Sequence, residues 1–98
     1  MATPIYKLFT ARPSAAWYQL SQEEQNSLMA KVDAILEQVG GKRVVLCDSS
    51  WSSEQWPFFG VEQFPDVAAV QKQVEALAKL NWFRYMEART LLGTEMPG

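Results

Sequence analysis

Residues 21–48 read SQEEQNSLMAKVDAILEQVGGKRVVLCD and predict a capped helix that is followed by a strand. Ser21 and Glu24 have the spacing of a capping box, in which each side chain accepts a hydrogen bond from the other residue's amide. The apolar residues after them recur on one helical face: Leu28, Val32, Ile35, Leu36 and Val39. Gly40-Gly41 ends the helix, because glycine adopts the left-handed cap conformation without a Cβ clash. Residues 42–48, with the apolar run Val44-Val45-Leu46-Cys47 at their centre, predict the second strand.

The flanking segments predict three more strands and a second long helix. The strands are short apolar or alternating runs within residues 5–10, 56–64 and 84–91. The second helix begins after Pro65-Asp66 and has a narrower apolar face, formed by Val67, Val70, Val74 and Leu77. Residues 11–20 are predicted as a loop that carries Trp17 and Tyr18, and residues 94–98 as a frayed tail.

This order of elements predicts the fold class. Strand, helix, strand, strand, helix, strand is the α+β, ferredoxin-like βαββαβ arrangement, a four-stranded antiparallel sheet with two helices on one face. The 98 residues suit one domain, so we expect residues 1–98 to fold as a single unit.

Composition and charge restrict the partners that we expect. A net charge of −2 gives no general attraction to nucleic acid or to an anionic membrane. No apolar run approaches the ~18–20 residues that cross a bilayer, and the first residues do not resemble a signal peptide. The single cysteine, Cys47, cannot form an internal disulfide and lies in an apolar strand, where an inert thiol is expected. We therefore expect a soluble, cytoplasmic protein.

Both faces of the predicted strands carry large apolar residues. In the third strand, Phe59 and Val61 point away from Phe58 and Phe64. Because the two helices cover one face, a monomer would expose an aromatic patch on the other, which is uncommon without a partner. The sequence therefore predicts a homodimer in which two sheets face each other.

Three motifs carry a resemblance to a known family, namely Trp17-x-x-Leu20-x-x-Glu23-Glu24, Phe58-Phe59-x-Val61-x-x-Phe64, and Trp82-x-x-Tyr85-x-Glu87 with Leu92-Gly93. They resemble those of darcynin-type and related uncharacterised members of the dimeric α+β barrel superfamily. The resemblance covers residues 14–93 and implies a homodimer of face-to-face sheets. The wider superfamily includes cofactor-independent monooxygenases, polyketide cyclases, muconolactone isomerases, haem-dependent chlorite dismutases and proteins without known activity. Several of these enzymes use a histidine and this chain has none, so no catalytic residue is carried over.

The absence of histidine also excludes several kinds of site. No serine–histidine or cysteine–histidine pair, histidine-ligated haem or zinc site with nitrogen ligands can form. One cysteine is too few for a thiolate zinc site, and neither a calcium loop nor a phosphate-binding glycine loop is present. We therefore predict no cofactor and no metal site.

The remaining chemistry lies in carboxylates, tyrosine, arginine and lysine. If Met86 and Ala88 face the helices, the residues that share the open face of the fourth strand are Tyr85, Glu87, Arg89 and Leu91. The sequence then predicts that Lys7, Glu62, Glu87 and Arg89 converge on that face. One interpretation is a balanced ion-pair network at the dimer interface or sheet rim. The other is proton transfer by Glu62 or Glu87 in an aromatic pocket, with Arg89 or Tyr85 stabilising an anion.

The tryptophans have two interpretations as well. Trp82 is predicted to close the core over the end of the second helix, and Trp17 to pack at the sheet edge. Trp51 and Trp56 flank a serine-rich loop and are candidates for a pocket mouth or for interface packing. The predicted ligand-binding residues are Trp51, Trp56, Phe58, Glu62, Tyr85 and Arg89.

The sequence favours a homodimer that binds a small apolar or aromatic ligand, or that has only an assembly role. The alternative is a cofactor-independent monooxygenase, cyclase or isomerase that acts on an aromatic or polyketide-like substrate. RNA recognition is disfavoured, because residues 59–64 match the third-strand motif of RNA-binding domains only in part and the chain is acidic. The sequence leaves open the ligand, the presence of any activity, and whether a pocket lies between two sheets or between sheet and helices.

Overall fold

Four strands form one antiparallel sheet in the computed structural model, which describes residues 3–97. The strands are β1 (Ile5–Pro13), β2 (Lys42–Asp48), β3 (Phe58–Phe64) and β4 (Met86–Gly93), and they lie in the order β2-β3-β1-β4. The helices are α1 (Ala15–Tyr18), α2 (Gln22–Gln38), α3 (Val67–Lys79) and α4 (Trp82–Tyr85). The long helices α2 and α3 pack on the same face of the sheet. The predicted ferredoxin-like fold is confirmed, with α1 and α4 as additional single turns.

The capping box that opens α2 forms as predicted. Ser21 Oγ accepts a hydrogen bond from the amide of Glu24 at 3.1 Å, and Glu24 Oε1 accepts one from the amide of Ser21 at 3.0 Å. These hydrogen bonds, chiefly the one from the Ser21 amide, hold the pKa of the Glu24 carboxyl below its usual value. At the other end of α2, Gly40 has a φ of 81°, the left-handed conformation that glycine adopts without strain.

Helix α3 begins at a side-chain cap and is followed by a left-handed residue. Asp66 Oδ1 accepts a hydrogen bond from the amide of Ala69 at 2.8 Å. After α3, Asn81 has a φ of 61°, which turns the chain into the single turn of α4. Asparagine tolerates this conformation better than most residues with a side chain.

Three of the predicted element assignments are wrong. Strand β1 continues beyond residue 10, because Ala11 and Arg12 pair with Ala88 and Glu87 of β4. The residues predicted to begin the fourth strand, 84–85, lie in α4 instead, so that β4 begins at Met86. Trp17 and Tyr18, predicted to lie in a loop, form part of α1.

The main core lies where α2 and α3 meet one end of the sheet. Leu36, Phe64, Ala69 and Val70 are buried there, with Ile5 and Val39 packed against them. Gly41 lies under this cluster, because a Cβ at residue 41 would come within 2.6 Å of a methyl carbon of Leu36. At the other end of the sheet, Trp17 meets Trp82 edge to face, with ring centroids 6.3 Å apart.

The sheet face opposite the helices is apolar, as predicted. We call it the open face and define it by Tyr6, Leu8, Val45, Phe59, Val61 and Leu91. Leu8 lies opposite Val61 on one side and Leu91 on the other, so the three side chains share this face. The side chain of Leu8 is 40% exposed and that of Leu91 is 67% exposed. In the single chain the open face is therefore in contact with solvent.

The ends of the chain have no regular structure where the structure describes them. Residues 94–97 follow β4 without helix or strand, and the predicted tail also includes Gly98, which lies outside the described residues. None of the helices found in residues 3–97 has the length and apolar character that a bilayer crossing requires.

Candidate functional site

A cavity of ≈ 100 Å³ lies between the sheet and the helices, and we call it the sheet–helix cavity. All four strands contribute residues to its floor, and α2, α3 and α4 contribute to its walls. Its apolar lining includes Phe9, Met29, Leu46, Phe58, Leu77 and Trp82. Its polar lining includes Lys7, Arg43, Glu62 and Gln73. The cavity is therefore mostly apolar with a polar end, which is typical of small-molecule sites.

The space above β3 depends on a residue without a side chain. Gly60 is buried, and a Cβ at residue 60 would come within 2.7 Å of the ring of Phe9. Phe9 therefore lies directly against the backbone of Gly60. This close approach holds the ring at the edge of the cavity that it lines.

A chain of polar contacts crosses the polar end of the cavity. Lys7 Nζ donates a hydrogen bond to Gln73 Oε1 at 2.8 Å, and Gln73 Nε2 donates one to Glu62 Oε1 at 3.1 Å. The second oxygen of Glu62 lies 3.7 Å from Nη2 of Arg43, and the same Nη2 lies 3.1 Å from a carboxylate oxygen of Asp33. The contacts therefore join β1, α3, β3, β2 and α2.

The inner part of this chain is buried. Lys7 is 8% exposed, Glu62 4% and Gln73 2%. Burial lowers the pKa of the Lys7 ammonium, and the negative charge of Glu62 opposes this effect without cancelling it. A buried ammonium and a buried carboxylate persist when they compensate each other, and here Gln73 bridges them.

The polar end has more donors than acceptors. An ammonium offers three N–H donors, and within residues 3–97 Gln73 provides the side-chain acceptor for Lys7. In the same part of the chain, Arg43 Nε is buried and has no hydrogen-bond partner. A buried donor without a partner costs free energy, so this end of the cavity favours a group that accepts hydrogen bonds.

The predicted convergence of four charged residues on the open face is wrong. Lys7 and Glu62 face the helices, as their contacts with Gln73 show. Glu87 and Arg89 lie on the other side of the sheet, because they alternate with Ala88, which lines the sheet–helix cavity. The prediction reversed the faces of β1 and β3 and assigned those of β4 correctly.

Glu87 belongs to a small cluster at the rim of the open face. Its carboxylate forms an ion pair with Arg12, whose guanidinium carbon lies 5.7 Å from the centroid of a Trp56 ring. The two charged side chains are about half exposed. This placement agrees with the interpretation of Glu87 as part of an ion pair at the sheet rim.

Of the predicted ligand-binding residues, Phe58 and Glu62 line the cavity. The remaining four do not line it: Trp51, Trp56, Tyr85 and Arg89. Tyr85 lies in α4, not on the open face of β4, and borders a surface depression with Leu20 and Glu23. Trp51 is 83% exposed, and its indole nitrogen donates a hydrogen bond to the carbonyl of Asp48. Trp82, predicted as a core residue, lines the cavity.

Three residues of the polar chain, Gln73, Arg43 and Asp33, were not predicted from the sequence, although Gln73 left a signal. Gln73 lies between Val70 and Leu77 at the spacing of the buried face of α3, where a polar residue needs a buried partner. Arg43 is brought inward by an irregular register next to Val45. That irregularity cannot be read from the apolar pattern of β2.

No metal centre is found in the described part of the chain. Among residues 3–97, no three side chains of histidine, cysteine, aspartate or glutamate lie together as a possible ligand set.

Residues 5–97 match the model of a protein family described as a family of unknown function, DUF6616. The chain belongs to this family. A search of curated proteins gives no significant match to this DUF6616 chain.

Solved structures share the fold of this DUF6616 chain. The chlorite dismutase from Candidatus Nitrospira defluvii, solved in complex with imidazole, aligns at a TM-score of 0.77 and 24% identity. A protein of unknown function from Rhodopseudomonas palustris, RPA0582, aligns at a TM-score of 0.72 and 18% identity. The alignments cover 99% and 100% of this chain, but 42% of the chlorite dismutase chain and 86% of RPA0582. At these identities the similarity shows the fold alone.

Proposed function

We propose that this protein binds a small, mainly apolar or aromatic ligand in the sheet–helix cavity, with an oxygen of the ligand at the polar end. The observation that carries the proposal is the pairing of an apolar lining with the buried donors of Lys7 and Arg43. The donors favour a carbonyl or hydroxyl oxygen, and the apolar walls favour a hydrocarbon body.

The size of the cavity restricts the ligand. A volume of ≈ 100 Å³ is well above the ~10–15 Å³ that one water needs, and an engineered cavity of ~150 Å³ in another protein holds benzene. Drug-sized sites begin at about 300 Å³. Because the sheet–helix cavity is smaller than that engineered cavity, we expect a ligand with at most one ring.

The charges of the polar chain favour a ligand without a strong charge of its own. Lys7 and Arg43 face Glu62 and Asp33, so two positive groups balance two negative ones. A second buried carboxylate would leave an uncompensated negative charge, whereas a neutral oxygen uses the spare donors without this cost.

Haem, which the wider superfamily uses in some members, does not fit this site. The sequence has no histidine, and a cavity of ≈ 100 Å³ is smaller than the sites of even drug-sized ligands. The proposal therefore contains no step that depends on haem.

Acetophenone and ethylbenzene test the proposal, because they share one skeleton and differ in a carbonyl oxygen. Binding of either compound should change the fluorescence of Trp82. Acetophenone should bind about two- to tenfold more tightly than ethylbenzene, the range of one net hydrogen bond. A Trp82→Phe variant identifies the reporter, and Trp51→Phe is the matched control at an exposed position. If isothermal calorimetry detects binding of neither compound, the proposal fails.

Of the two residues predicted to transfer protons in an enzyme, one lies at the cavity. Glu62 lines the cavity, whereas Glu87 lies on the open face and pairs with Arg12. If the protein is a cofactor-independent enzyme, Glu62 is therefore the proposed proton-transfer residue. Turnover of a bound aromatic ketone that is lost in Glu62→Gln, with binding kept, would favour this second function.

We also propose that two copies pair through their open faces, as the darcynin-type resemblance implies. The support is the apolar character of the face, including Leu8 at 40% and Val45 at 41% exposure. A shallow depression of ≈ 430 Å³ on this face is lined by Tyr6, Leu8, Val61 and Leu91. Pairing would bury these residues without blocking the sheet–helix cavity, which lies on the other side of the sheet. Light scattering at micromolar concentration should give the mass of two chains.

A further inference from the structure

Lys7 differs from the other lysines of the chain in where its amine lies. It is buried on the inner strand β1, its side chain lines the sheet–helix cavity, and its Nζ is hydrogen-bonded to Gln73, which lines the same cavity. The other lysines, Lys31, Lys42, Lys72 and Lys79, are exposed. Lys7 therefore places a primary amine against any ligand in the cavity.

The position of this amine is fixed from both sides. The backbone of Lys7 pairs with Glu62 of β3 and Leu92 of β4, so the residue lies in the middle of the sheet. The side chain is held by the 2.8 Å hydrogen bond to Gln73 Oε1. A fixed amine next to a small apolar cavity meets the geometric requirement for attack on a bound carbonyl group.

We propose that Lys7 forms an imine with a small aldehyde or ketone bound in the sheet–helix cavity. This inference rests on the proposed ligand-binding function, and it names the carbonyl group as the oxygen-bearing group at the polar end. Among side chains, lysine amines form imines with carbonyl compounds, and desolvation favours the neutral amine that reacts.

The reaction balances without an oxidant or a reductant. The lone pair of neutral Nζ attacks the carbonyl carbon, a C–N bond forms, and the carbonyl oxygen takes up the proton that the nitrogen releases. The C–O bond of this carbinolamine then breaks, and the oxygen leaves as water with the second proton from the nitrogen. The products are one C=N bond and one water molecule.

The surroundings of Lys7 support both the attack and the loss of water. Burial lowers the pKa of Lys7, which raises the fraction of neutral amine at a given pH. The charged groups that face it are Glu62 on β3 and, beyond Glu62, Arg43 on β2, while α3 contributes the neutral Gln73. Glu62 lies opposite Lys7 in the β1–β3 register, a position from which its carboxyl group can carry a proton between nitrogen and oxygen.

Reductive trapping with benzaldehyde tests the proposal in the wild-type protein. Limiting benzaldehyde and cyanoborohydride at pH 7 convert an imine into a stable benzylamine, which peptide mass mapping locates. We expect Lys7 to carry more label than any exposed lysine, because its amine borders the bound aldehyde and its lowered pKa raises the neutral fraction. The N-terminal amine is mapped separately, since it also reacts at this pH.

Two variants separate the chemistry from the fold. Lys7→Arg keeps the positive charge and cannot form an imine, so the label on the peptide that contains residue 7 should disappear and the label on the exposed lysines should stay the same. Lys72→Arg removes an exposed lysine of α3 and should leave the Lys7 label unchanged. If Lys7→Arg does not fold, the wild-type map alone still decides the proposal.

Benzyl alcohol distinguishes failure of the imine from failure of the binding site. It has nearly the shape of benzaldehyde and no carbonyl group. Benzyl alcohol that binds, together with no enrichment of label at Lys7, would overturn the imine and leave the proposed ligand site standing. If neither compound binds to the protein, both proposals are overturned.

Discussion

Gln73 on α3 donates a hydrogen bond to Glu62 on β3, and its other side-chain atom accepts one from Lys7 on β1. One amide therefore links two buried charges that would otherwise lack a common partner. An amide is suited to this position because it donates with one atom and accepts with the other.

The Gln73→Leu variant should destabilise the protein by about 1–3 kcal/mol, because it leaves a donor of Lys7 and an acceptor of Glu62 buried without a partner. Gln71→Leu is the matched control, since Gln71 is an exposed residue of the same helix and should change the free energy of unfolding by no more than about 0.5 kcal/mol. Urea unfolding measures both. Equal stabilities of the two variants would contradict a structural role for Gln73.

The lowered pKa of Lys7 predicts a pH dependence with a definite sign. Below 10.5, the ordinary value for lysine, and above the folded-state pKa, the unfolded chain binds more protons than the folded chain. The free energy of unfolding should therefore rise with pH in this window for the wild type relative to Lys7→Met. Lys72→Met should show no such difference from the wild type. If the difference in the free energy of unfolding between the wild type and Lys7→Met does not change between pH 8 and 10.5, the burial effect on Lys7 is contradicted.

Adjacent residues of β4 can test on which side of the sheet the proposed ligand binds. Ala88 lines the sheet–helix cavity and Arg89 lies on the opposite face. Ala88→Leu should weaken acetophenone binding about tenfold by filling the cavity. Arg89→Leu, at a residue that the sequence analysis placed in the ligand site, should leave the dissociation constant unchanged. If calorimetry shows weaker binding for Arg89→Leu and unchanged binding for Ala88→Leu, the ligand binds on the open face instead.

A charge on the open face should separate the two copies of the proposed dimer. Leu91→Lys places an ammonium where the two sheets would meet, and burial of two such charges without partners would be costly. Light scattering should then give the mass of one chain. Val67→Lys is the control, because Val67 is half exposed on α3 and away from the open face. A wild-type protein that is monomeric at micromolar concentration would contradict the proposed dimer.

The ion pair between Arg12 and Glu87 should contribute little to stability. Both side chains are about half exposed, and such pairs are worth about 0–1 kcal/mol. Glu87→Gln should therefore change neither the urea midpoint by much nor the binding of acetophenone. A large loss of binding in this variant would return Glu87 to the list of candidate site residues.

The elements of the fold could be predicted because their signals are local. The capping box of Ser21 and Glu24 and the glycine pair after α2 depend on neighbouring residues. The boundary of β4 is not marked in the apolar pattern, because the left-handed Asn81 starts a further helical turn that removes Tyr85 from the strand.

The sequence did not show which faces of β1 and β3 the helices cover. Alternation shows which residues of β1 and β3 lie together, but both sets are apolar, so it does not show which set the helices cover. Gln73 holds that information, since a polar residue in the buried stripe of α3 requires a polar residue opposite. Lys7 and Glu62 are those residues.

The absence of a side chain at Gly60 affects the size of the sheet–helix cavity, because the Phe9 ring lies against the backbone of β3 at this residue. Replacing its hydrogen by a methyl group would push the Phe9 ring by several tenths of an ångström toward the ligand space. If the cavity binds a ligand as proposed, its selectivity for ligand size could be changed at Gly60, a residue that does not itself line the cavity.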